Sequence, residues 1–91
     1  MNTTKAESVI RQFQSEFQNL DAQVKDSVKN ADAAMQGVTS PDLLNKLKEA
    51  HANLSYAESD ESKGYHNHTY LMALLTDALQ RSQEILTTLG K

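Results

Sequence analysis

The side chains of this sequence best suited to chemistry are its three histidines, His51, His66 and His68. An imidazole can ligate a metal, exchange protons near neutral pH or accept a transferred group. His66-Asn67-His68 places two imidazoles at i and i+2, positions that diverge on a helix, so a metal site there needs carboxylates from elsewhere. Asp60 and Glu61 are near in sequence, but no H-E-x-x-H spacing accompanies them. The spacing therefore predicts surface or capping histidines rather than a metal centre within this chain. His51 stands in Glu49-Ala50-His51-Ala52, one position off an apolar helical stripe. A helix-borne histidine of this kind is a phosphocarrier candidate, yet only the preceding Ala matches that pattern, and a boundary histidine is the plainer reading. There is no G-x-S-x-G elbow, no glycine-rich phosphate loop and no carboxylate pair set apart from the general scatter of acids. Catalysis by this chain is not expected.

Composition narrows the classes further. With 91 residues the chain makes a single domain, 1–91. It has no Cys, which excludes a disulfide scaffold, a thiolate metal site, a cysteine nucleophile and covalent attachment of haem c. Lys and Arg number 9 against 12 Asp and Glu, a net charge of −3, so no nucleic-acid partner is expected. No apolar run approaches the ~18 residues of a membrane span. The start, Met1-Asn2-Thr3-Thr4-Lys5, has no apolar core behind it and reads as carrying no signal peptide. A core this small is marginal alone, which makes a partner or an oligomer a fair expectation.

Three stretches of helical periodicity must position these residues, and none alternates like a strand. The first, about 4–36, carries Ile10, Phe13, Phe17, Leu20, Val24, Ala31 and Ala34 at steps of 3 and 4 or their sum. Thr4 with Glu7 suggests a capping box, and Gly37 suits the left-handed residue after a helix end. The second, about 41–59, opens with Ser40 as N-cap, Pro41 in the first helical position and Asp42 against the positive end of the dipole. The third, about 67–89, is rich in Leu and stops at Gly90. The predicted fold is all-α: a three-helix antiparallel bundle of one long N-terminal helix plus a helical hairpin. The first helix is longer than the hairpin. Either its end bearing Val9, Ile10, Phe13 and Phe17 projects and meets another chain, or the third helix covers it.

One segment is more specific. Asp60, Ser62, Gly64, Tyr65, His66 and Asn67, followed by Tyr70, Leu74, Leu75 and Ala78, form an acidic, Ser-containing turn, then Gly-aromatic-His-Asn, then a helix opening with Tyr and running through Leu-Leu to Ala. This pattern resembles the C-terminal helical region of multihaem c-type cytochromes, the group that includes the pentahaem nitrite reductases and their octahaem relatives. The likeness covers about the last 40 residues; the first helix fits only as a generic amphipathic helix. The resemblance implies a haem-free C-terminal domain of a longer cytochrome in electron transfer or respiratory reduction. Haem c would sit in the parent protein, the haem-bearing domain would be the partner, and the parent would be periplasmic or otherwise extracytoplasmic. It further implies that His66 can serve as distal axial ligand of a haem in that parent, and that helix 1 can form a homodimer interface. The chain departs from the family in lacking any C-x-x-C-H. Either it is an excised domain with Met1 added at the cut, or a stand-alone protein that keeps the helical module. A helical protein-interaction module without redox role is the alternative expectation.

Overall fold

Local chemistry sets the helix ends. A computed structural model describes residues 3–60 and 68–90, with side chains from residue 8 onward. Its elements are α1 (Thr3–Ala34), α2 (Pro41–Glu58) and α3 (His68–Leu89). Ser40 is in an extended conformation, and its hydroxyl accepts from the Leu43 N–H at 3.4 Å, with Pro41 and Asp42 in the first turn. Gly37 and Gly90 take the left-handed conformation, φ 81° and 72°, that ends α1 and α3. α1 stops at Ala34, earlier than periodicity suggests, because the chain already turns over Met35–Gly37, where the Val38 N–H donates to the Met35 carbonyl. Thr4, expected before the first turn, is already helical, since α1 begins at Thr3. Gly64, Tyr65, His66 and Asn67 lie outside the described residues.

The three helices form an elongated all-α bundle in which α3 packs against both α1 and α2, and α1 and α2 meet least. The registers are regular. Phe13 stacks on His68 and Ser27 bonds to Ser82, so both pairs hold the same 55-residue separation, and α1 and α3 run parallel. Across α2 and α3, Asn53 meets Asp77, Glu49 meets Arg81 and Lys46 meets Glu84, each step back along α2 matched by an equal step forward along α3. Those two helices are antiparallel. Lys25–Glu58 and Asp32–His51 give the antiparallel register of α1 and α2 in the same way.

The core divides into two clusters. One gathers Phe17, Val24, Val28, Leu54, Leu71 and Leu75 with Ala50, Ala57 and Ala78. The other gathers Ala31, Met35, Leu43 and Ile85. Four alanines at full burial let the helix axes approach closely. At the join between the clusters lie two serines, Ser27 at 8% and Ser82 at 0% exposure, with their hydroxyl oxygens 2.6 Å apart. Ser82 donates to the Leu79 carbonyl at 2.9 Å, so its single proton is used and Ser27 is the donor between them.

This register decides the fate of the long helix. α1 has 32 residues against 22 in α3, roughly 48 Å against 33 Å. Their C-terminal ends are level, because Ala34 and Leu89 keep the same separation as the other pairs. All the excess therefore falls at the start of α1, ahead of Phe13. Of the two alternatives for Val9, Ile10, Phe13 and Phe17, projection needs correcting and coverage holds at one position: Phe17 is 3% exposed and belongs to the bundle's own core. Phe13 is half-buried at the rim, Ile10 half-buried and Val9 40% exposed.

The buried hydroxyl pair gives a thermodynamic prediction. Ser82→Ala should cost about 1–2 kcal/mol in urea unfolding, because it leaves the Ser27 donor without its partner. The Ser27→Ala/Ser82→Ala double variant should cost clearly less than the two single losses added together, and strict additivity would refute the pairing.

Candidate functional site

The sequence-predicted residues do not converge on one centre. Among the described residues no group of three or more His, Asp or Glu stands close enough to hold a metal ion. His51 and His68 are held apart on different seams, and His66 lies outside the described residues. Each described histidine has a carboxylate instead.

His51 Nε2 lies 2.7 Å from Asp32 Oδ1 across the α1–α2 seam. Both side chains are close to half exposed, 48% and 44%. Water screens such a pair strongly, and its worth to stability is small. Chemically, the Asp orients the ring through Nε2 and leaves Nδ1 as the nitrogen that faces other partners.

His68 is more constrained. It is the first residue of α3, its side chain 19% exposed, with Nε2 3.1 Å from Glu16 Oε1. Its ring stacks on Phe13 with centroids 4.5 Å apart and planes 19° from parallel. The stack and the carboxylate together pin the start of α3 onto α1. Two shallow, open grooves flank this pin. One, about 570 Å³, is lined by Glu16, Leu20, Gln23 and Met72. The other, about 840 Å³, is lined by Phe13, Tyr70 and Ala73. Beside the second, Tyr70 meets Tyr56 of α2 edge to face at 6.0 Å, and both rings are more than half exposed, 54% and 58%. The sequence signal for this pin is the aromatic at Phe13 on the α1 stripe; what it lacked was the register that brings His68 opposite.

A third cluster sits on the α1–α2 seam at the same end. Lys25 Nζ stands 3.5 Å from Asp21 Oδ2 and 3.1 Å from Glu58 Oε2. Asp21 Oδ1 is buried without a donor, and Glu58 Oε2 has only the Lys25 ammonium beside it. Burial first, then hydrogen bonding to Glu58 and its negative charge, raise the Asp21 carboxyl above its ordinary value, against the opposing pull of Lys25. Glu58 also lies in the last turn of α2, where a negative charge meets the negative end of the helix dipole.

Two outcomes follow from these contacts. Phe13→Ala should speed amide exchange in the first turns of α3, around Leu71, and leave Ile85 protected, since the stack acts only at one end. For Asp21 the folded state holds its proton more tightly than the unfolded chain. Its contribution to stability is therefore full below the unfolded value near 3.8 and is lost as pH rises through the higher folded value. Asp21→Asn, which keeps a donor for Glu58 at every pH, should raise Tm at pH 7 and make little difference at pH 3.

No protein-family model matches the sequence, and neither a curated protein nor a solved structure matches the chain.

Proposed function

We propose that this chain is a haem-free helical domain that packs against the haem-bearing part of a multihaem c-type cytochrome and acts as scaffold rather than catalyst. One observation carries the reading: the start of α3 is fixed on α1 by the His68–Phe13 stack and by Glu16. His66 is only two residues ahead of that pin, in the Gly-aromatic-His-Asn turn that resembles the family. A ligand imidazole needs a backbone held in place by its neighbours, and the pin provides such an anchor at the end of the bundle where the turn joins. Haem c, bound through C-x-x-C-H in the rest of the parent, would supply the redox chemistry; the part of this chain is to support the turn and cover a neighbouring surface. The parent is then an extracytoplasmic protein, because covalent haem attachment accompanies export. Val9, Ile10 and the outer edge of Phe13 extend the same end of the bundle and are offered to that neighbour or to a second copy.

A second reading is a helical protein-interaction module without redox role. The exposed Tyr56–Tyr70 pair favours it, since two tyrosines in edge contact form an amphipathic platform of the kind enriched at protein interfaces.

The test is made in the longer protein that carries this segment. Its haems should show a low-spin spectrum that loses one bis-imidazole component in His66→Ala, with a changed midpoint potential for that haem. An unaltered spectrum removes His66 as ligand. A reading frame without C-x-x-C-H removes the electron-transfer assignment and leaves the interaction module.

A further inference from the structure

We infer that Asp21, Lys25 and Glu58 form a pH-responsive latch, which holds the last turn of α2 on α1 when Asp21 is protonated and loosens when Asp21 is ionised. The latch is independent of the haem reading and of the residues that carry it.

The last turn of α2 depends on a cation from another helix. No basic side chain stands in that turn to meet the negative end of the helix dipole, and Glu58 adds a carboxylate to it. The turn's buried side chain, Ala57, is small, so apolar packing holds it weakly. The missing cation comes from α1: Lys25 Nζ lies 3.1 Å from Glu58 Oε2. The same ammonium stands 3.5 Å from Asp21 Oδ2, so it is shared between two carboxylates.

Burial gives that sharing its consequence. The Asp21 side chain is 15% exposed, and its Oδ1 is buried without a donor. An ionised carboxylate in that position is costly, because Lys25 reaches only its other oxygen. A proton on Asp21 removes the charge, gives it a donor toward Glu58 and leaves Lys25 to serve Glu58 alone. Among the described residues, the charges acting on Asp21 are Glu58 of α2 and Lys25 of its own helix. The charged side chains of α3 are engaged elsewhere, Asp77, Arg81 and Glu84 with Asn53, Glu49 and Lys46, and His68 with Glu16.

Burial first, then Glu58, hold the Asp21 carboxyl above its ordinary value near 3.8. The closed latch binds the proton more tightly than the open one. Closure is therefore fully supported below 3.8 and is lost as pH rises through the higher value.

The aromatic pair is what the latch controls. Tyr56 lies in the same turn and meets Tyr70 of α3 edge to face at 6.0 Å. Another tie across the α1–α2 seam, Asp32–His51, lies two turns further back along α2, so loosening stays at the helix end and slackens the tyrosine contact.

Amide exchange of the 91-residue chain, followed by NMR and corrected for intrinsic rates, tests the latch between about pH 4 and pH 7. Protection of the Ser59 N–H, which bonds to the Ser55 carbonyl, should fall severalfold over that range, while Ala50 stays protected. Asp21→Asn, neutral at every pH, should abolish the fall and keep Ser59 protected at pH 7. Lys25→Met should lower its protection at pH 7 further. The Asp21 carboxyl carbon in the same samples should titrate above 3.8. A wild-type profile without a fall overturns the latch, as does Lys25→Met with unchanged protection. So does a fall that Asp21→Asn retains, which places the sensing group elsewhere, such as at Asp32–His51.

Discussion

The register of α3 on α1 is the constraint on which the rest of the bundle depends. Apolar packing alone does not fix it, because a slip by one helical turn still places apolar residues opposite one another. Ser27 would then face the neighbourhood of Ala78 or Ile85 and lose its cross-helix partner, and His68 would leave Phe13 and Glu16. Two specific contacts at one common separation thus select a single alignment from several of similar hydrophobic content, the use to which polar core positions are put in coiled coils. Everything at the far end follows: level helix ends at Ala34 and Leu89, and all excess length of α1 gathered ahead of Phe13.

The second helix is aligned by different means. Its seam with α3 is a ladder of charge and amide contacts, Lys46–Glu84, Glu49–Arg81 and Asn53–Asp77, and Arg81 also bonds within its own helix to Asp77 at 2.7 Å. Each rung is partly exposed and adds little stability by itself. Their value is selective: a shift of α2 by one turn brings Glu49 toward Glu84 in one direction, and Lys46 toward Arg81 with Glu49 toward Asp77 in the other.

What was legible in the sequence was local. Ser40-Pro41-Asp42 and Gly37 act through their own backbone and immediate neighbours, so their roles needed no knowledge of the fold. The three helices and their order were legible for the same reason. Phe17 was not, because its burial depends on how far α3 reaches along α1, and no local signal encodes that reach. The Ser27–Ser82 bond was missed although a sign of it was present: both serines interrupt apolar stripes, Val24-Ser27-Val28 and Ala78-Ser82-Ile85, where a solvent-facing serine has no place. His68 read as a surface or capping residue because its partner, Phe13, is 55 positions away.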